Sequence, residues 1–178
     1  MIPPTSLTAF SPDCIVSTGV AGGIDACLKV TDVVASQRLV YHDVWCGDGN
    51  EYGQVQGFPA SYEGCSSLLK HALSLNEAGM ESRIHSGLVC TGDQFITNRT
   101  ELDTIKQRFP DGLAVDMESA AIAQTCYLYN VPFLSFRIIS DTPGVEDHAS
   151  QYADFWGTMA ERSFLTIWTF LSTLPSNL

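Results

Sequence analysis

Apolar residues in this chain fall into short runs separated by polar, glycine-rich segments. Residues 13–18 are mostly apolar and predict a buried strand running into a glycine-rich turn at 19–23. Leu28, Val30, Val33 and Val34 predict a second strand over 28–36, and the alternation over 38–45 predicts a third, antiparallel to it. Segment 46–62 holds four glycines, a proline and three aromatics, the composition of a long functional loop. Leu68, Leu69, Ala72 and Leu75 share one face of a helix over 65–79, which Gly79 stops. A strand over 83–91 follows, then an amphipathic helix over 99–109 closed by Pro110. A very short strand at 113–116 precedes an Ala- and Ile-rich helix over 117–129. The strongest strand spans 131–139. After Ser140-Asp141-Thr142-Pro143-Gly144, a long helix is predicted over 149–172, with Tyr152, Phe155, Trp156, Met159, Ile167, Phe170 and Leu171 at helical spacing.

The later half alternates strand and helix, which implies an α/β fold: a mixed, mostly parallel central sheet flanked by helices. A chain of 178 residues can bury a real core, and 45% apolar against 16% charged residues excludes a disordered protein. A net charge of −11 argues against nucleic acid as a partner, because phosphates need a basic footprint. It leaves room for a small uncharged ligand. No apolar run approaches the roughly 18 residues of a membrane span, and the first residues do not resemble a secretory signal. The six cysteines are scattered without metal spacing, so no metal site is expected and a reducing, cytoplasmic setting is.

Four apolar strands end in polar clusters: Thr18 to Gly23, Thr91 to Phe95, Asp116-Met117-Glu118, and Ser140-Asp141. Ligands of open α/β sheets bind at the carboxyl edge of the strands, so four clusters there suggest one site. Each cluster also has a plainer reading. The glycine-rich segment lacks the ending of a phosphate-binding loop and equally suits a tight turn. Glu118 either complements the dipole of the helix it opens or bonds sugar hydroxyls. Asp141 either forms a turn before Pro143 or acts as a general acid; an ordinary aspartate has a pKa of about 3.9, so that role needs a partly buried site. His42 and His148, each beside an aspartate, suit structural hydrogen bonds better than a metal.

Taken together, TGVAGGI (18–24), YHDV (41–44), YGQVQGFPA (52–60), TGDQFI (91–96), FPDGLAVDMESAAIAQTC (109–126) and VPFLSFRIISD (131–141) resemble the 5'-methylthioadenosine/S-adenosylhomocysteine nucleosidases. These enzymes hydrolyse the bond between adenine and a modified ribose. The resemblance runs from about Pro12 to the last helix. It implies a nucleoside phosphorylase/hydrolase-like fold, a small-molecule nucleoside substrate, no cofactor, and a homodimer in which the 46–62 loop reaches the neighbouring site. It implies that Asp141 protonates or hydrogen-bonds the imidazole-ring nitrogen of adenine, oriented by Ser140. Glu118 would bind the ribose hydroxyls and stabilise the oxocarbenium-like sugar, with Arg137 nearby. Met117 would pack on the sugar, Phe95 would stack on adenine, and the Ile96 backbone would read the base edge. Ala21 and Gly22 would line the pocket, and Tyr152 would cover the 5'-substituent. Related phosphorylases hold phosphate with an arginine and a serine where this chain has Ser17 and Val20, which favours water as the nucleophile.

The family's members begin with a further segment that carries a glutamate thought to activate the water, and no residue here matches it. The resemblance therefore implies one domain over 1–178, N-terminally truncated, with an unpaired sheet edge and exposed apolar surface. A nucleoside-binding fragment without catalysis, half of a split enzyme, and a phosphate-dependent phosphorylase are the alternatives.

Overall fold

A computed structural model describes residues 4–79, 82–143 and 148–175. Of the sequence expectations, Gly144, Asp147 and the side chains of Met159 and His148 lie outside the described residues. A short helix, α1 (Pro4–Phe10), leads into β1 (Ile15–Gly23) and β2 (Val33–Tyr41). After the long loop come β3 (Tyr62–Glu63), α2 (Ser66–Ser74) and β4 (Ile84–Thr91). Then α3 (Arg99–Arg108), β5 (Gly112–Asp116), α4 (Ser119–Leu128) and β6 (Phe133–Asp141) alternate. The chain finishes with α5 (His148–Asp154), a π-helical turn (Phe155–Met159) and α6 (Ala160–Ser172).

The mixed α/β expectation holds, and the sheet does more than stack. Its order is β3-β2-β4-β5-β1-β6, and β6 also pairs with β2, so five strands close into a ring with β3 outside it. The long ladders, β1 with β6 and β2 with β4, are parallel. Antiparallel contacts are short: β1 meets β5 only at residues 22–23, and β2 meets β6 at 33–35. Strand side chains alternate between faces, and the core divides accordingly. Leu134, Phe136 and Ile138 of β6 pack with α2 and α6 on one face, while Phe133 and Ile139 pack with α4 on the other. In β2, Val34 and Leu39 share the second face although their spacing is odd. The register slips between Ser36 and Arg38, and that bulge resets the alternation.

The same bulge explains one misreading. The two antiparallel strands expected over 28–36 and 38–45 are a single strand, Val33–Tyr41, running parallel to β4. Residues before it form turns, with the Leu28 N–H donating to the Asp25 carbonyl and Thr31 at φ 79°. The second correction concerns 19–23, expected as a turn and found inside β1. None of these glycines has a positive φ. They are there for lack of a side chain: a Cβ on Gly19 would strike the Arg137 guanidinium, and one on Gly22 would lie 2.9 Å from Pro143. Gly79 does stop its helix in the left-handed region, at φ 73°. The long last helix is interrupted by its π-helical turn. Phe155, Ile167 and Phe170 are buried as expected, but Trp156 and Leu171 are exposed.

The loop at 46–62 is irregular yet packed. Gly53 sits at φ 90° where any Cβ would strike the Tyr41 carbonyl. Trp45 stacks on Tyr52, and Arg108 lies 3.8 Å over the Tyr52 ring while donating to its hydroxyl. Among the described residues, β1 has no ladder partner over 15–21 on the side away from β6. Phe164, Leu165 and Trp168 of α6 are exposed. No helix among the described residues is long and apolar enough to cross a membrane.

Candidate active site

A cleft of about 480 Å³ opens at the end of the sheet where β1, β5 and β6 finish. All ten residues singled out from the sequence line it: Ala21, Gly22, Phe95, Ile96, Met117, Glu118, Arg137, Ser140, Asp141 and Tyr152. They come from five separate places in the chain, brought together by strands that end side by side.

β6 supplies three polar side chains of the cleft, Arg137, Ser140 and Asp141. It is buried over all nine residues and extends two further than expected, so Ser140 and Asp141 belong to the strand itself. Asp141 is 3% exposed, and the Ser140 hydroxyl donates to its Oδ1 at 2.5 Å. The Ser140 hydroxyl also lies 3.4 Å from the Ala21 carbonyl on β1. That hydrogen bond fixes the carboxyl group in the wall of the cleft.

β5 and α4 meet at the second carboxylate. Glu118 is the N-cap residue of α4, with φ −130° and no side-chain capping bond. It therefore sits just outside the helix, not in the first turn as the sequence suggested. Its side chain is 55% exposed and lies in the cleft wall, with one oxygen 3.6 Å from Arg137 Nη2. Arg137 is buried, and its Nε donates to Asp116 Oδ2 at 2.7 Å. Its Nη2 lies 3.2 Å from Ser17 Oγ on β1. A cation thus stands beside the glycine segment after all, contributed by the neighbouring strand. Reading Ser17 and Val20 alone could not reveal it.

An aromatic wall forms the third side. Phe95 meets Tyr152 edge-to-face at 5.7 Å, and Tyr152 meets Trp156 at 6.2 Å. Trp156, noted in the sequence only as an apolar position at helical spacing, is half exposed and lines the cleft. The π-helical turn begins at Phe155, buried beside it. Such turns often mark functional positions. Also missed were Thr91 and Ser119, buried hydroxyls that bond Asp116 from β4 and α4. Their signal was present, since both lie in or beside the polar clusters at strand ends. His42 is buried against Gly92 with no hydrogen bond to its Nε2. Burial is the main cause lowering its pKa, which favours the neutral ring. Among the described residues no group of histidine, cysteine or carboxylate side chains could hold a metal.

The closed mixed sheet and its helices define the class: a profile of the phosphorylase superfamily matches residues 4–172. A 5'-methylthioadenosine/S-adenosylhomocysteine nucleosidase of Chromohalobacter salexigens is 44% identical over 145 residues, 81% of this chain and 62% of that protein. Its counterpart in a Geobacillus species is 38% identical over 169 residues, 94% of this chain and 72% of that protein. The chain therefore belongs to the 5'-methylthioadenosine/S-adenosylhomocysteine nucleosidase family of the phosphorylase superfamily. It spans between three fifths and three quarters of the length of these relatives. Among solved structures, the nucleosidase of Neisseria meningitidis in complex with methylthio-immucillin-A superposes with a TM-score of 0.88 at 32% identity, covering 96% of this chain and 74% of that one. That of Colwellia psychrerythraea, in complex with adenine, gives 0.89 at 33% identity over 98% and 73%.

Proposed function

We propose that this chain binds 5'-methylthioadenosine and S-adenosylhomocysteine in the cleft and hydrolyses their N-glycosidic bond, releasing adenine. The observation that carries the reading is the convergence of a buried, hydroxyl-oriented carboxyl (Asp141) and a half-exposed carboxylate (Glu118) on one cleft walled by aromatics. The relatives in complex with adenine and with a methylthio-substituted analogue support the same ligand class here.

In this reading Phe95 stacks on the base, and Ile96 reads its edge through the backbone. Asp141 gives a proton or a hydrogen bond to the imidazole-ring nitrogen, which makes adenine a better leaving group. The bond to the sugar breaks with its electron pair going to the base. Glu118 holds the ribose hydroxyls, and its charge stabilises the cationic sugar. Met117 packs on the sugar, Tyr152 covers the 5'-substituent, and Ala21 and Gly22 let the ligand approach β1 closely. Water adds to the sugar carbon, leaves a hydroxyl there and gives its other proton to solvent, from which Asp141 is reprotonated. Arg137 is a poor phosphate site in this arrangement, because Asp116 and Glu118 already offset its charge.

The test is adenine release from methylthioadenosine by the full chain, with and without phosphate. Phosphate-independent release is the expected result, reduced about 10²- to 10⁴-fold in Asp141→Asn, the usual contribution of a general acid. Phosphate-dependent release would make the protein a phosphorylase. Adenine binding without release would reduce the proposal to a nucleoside-binding protein.

We further propose a cytoplasmic homodimer. Six unpaired cysteines suit a reducing compartment. Exposed Trp45, Tyr127, Leu128 and Tyr129 suit a second copy as cover, and sedimentation at several concentrations tests for it.

A further inference from the structure

Two carboxylates face a single guanidinium at the floor of the cleft, and they do not share it equally. Asp116 lies 2.7 Å from Arg137 Nε and its side chain is 1% exposed. Glu118 lies 3.6 Å from Nη2 and is 55% exposed. The advantage of Asp116 is structural. Its Oδ1 accepts from the Thr91 hydroxyl at 2.6 Å and from the Ser119 N–H, and its Oδ2 accepts from the Ser119 hydroxyl. Ser119 in turn bonds Ser135 on β6 at 2.6 Å. A carboxylate with this many donors is fully satisfied without water and cannot move toward a ligand. The guanidinium is held from the other side too, since it fills the space left by the missing side chain of Gly19.

We infer that Asp116 is a positioning residue: by holding Arg137 back in the floor it keeps the oxygens of Glu118 available to the hydroxyls of a ribose. The inference rests on the nucleoside reading of the cleft. An arginine freed from Asp116 would find Glu118 as its nearest remaining carboxylate and would close on it. A bidentate pair of that kind occupies the oxygens a sugar needs. Asp116 itself has no part in recognising the base, because Asp141 and Phe95 lie on other walls.

The experiment compares two ligands on the full chain by calorimetry: adenine, which lacks the sugar, and methylthio-immucillin-A, an uncleaved nucleoside analogue that keeps the sugar hydroxyls. In Asp116→Asn, adenine affinity is expected to stay within about twofold of the parent, while affinity for the nucleoside analogue falls by about 10-fold or more, the scale of a lost hydrogen bond to a charged group. The double variant Asp116→Asn/Arg137→Gln removes the freed guanidinium as well and is expected to recover part of the nucleoside affinity. A merely structural role would lower both ligands together and would worsen in the double variant. Should Asp116→Asn fail to fold, Arg137→Lys keeps the cation but gives up the Nε bond to Asp116, and it is expected to show the same selective loss. Parallel loss of both ligands, or no loss of either, overturns the inference. Failure of the parent chain to bind either ligand overturns the nucleoside reading itself, and the role of Asp116 with it.

Discussion

β1 and β6 run side by side in parallel register from Ile15 and Phe133 onward, yet they contribute opposite things. β6 is buried throughout and carries the side chains of the cleft, Arg137, Ser140 and Asp141. β1 is mostly half-buried, has three glycines in its last five residues, and contributes backbone and room. Each strand makes the other workable. Arg137 fits only because Gly19 has no side chain, and Pro143, just past β6, packs where a Gly22 side chain would be. The lesson is that a strand can serve a site by what it omits.

The largest effect expected from testing this contrast lies in β6. Phe136 is fully buried and stacks on Phe170 at 4.7 Å. Phe136→Ala is expected to cost about 3–5 kcal/mol in urea unfolding, the usual range for emptying such a position. A loss below 1 kcal/mol would mean that β6 is not the spine of the core. Next comes β1. Gly19→Val is expected to cost about 1–3 kcal/mol through overpacking, and to impair nucleoside binding more than adenine binding because it displaces Arg137. If it binds both ligands normally, the room in β1 is incidental.

The smallest effect concerns a second exchange of the same kind, His42 packed against Gly92. Burial is the main cause holding its pKa below the ordinary value of 6.5, against opposing pulls from Asp43 and Asp116. The folded state therefore prefers the neutral ring, while the unfolded chain takes up a proton near pH 6.5. Stability from this group is complete above that pH and declines as pH falls toward the lowered folded value. Unfolding free energies of the parent and His42→Gln, compared between pH 7.5 and 5.5, should differ in slope, with the parent steeper. Equal slopes would show that the ring is not buried in solution.

How legible each region was follows from the same contrast. β6 was readable because burial on both faces leaves a run that is apolar apart from Ser135 and Arg137, and its end was missed because Ser140 and Asp141 are polar residues that stay in the strand. β1 was misread at 19–23 because local glycine content signals a turn, whereas its cause here is the side chains of β6, far away in sequence. β2 was split in two by its bulge, which shifts the period that pattern reading relies on. The ten site residues named from clusters and resemblance all line the one cleft. Asp116, Thr91 and Ser119 were not recognised as a unit, since no spacing in the sequence links a buried aspartate on β5 to hydroxyls on β4 and α4. Trp156 was not singled out for the cleft because helical spacing cannot tell an inward face from one that borders a cleft.

The pairing of β6 with both β1 and β2 has a consequence for how the molecule is made. β6 is the last strand of the sheet, and its partners are the first two. Contacts between such distant parts of a chain form slowly, because a long loop must close before they reward it. During synthesis the earlier strands leave the ribosome first and wait. Until β6 follows, the nascent chain has an open sheet, an empty place beside Gly19, and none of the cleft side chains that β6 carries.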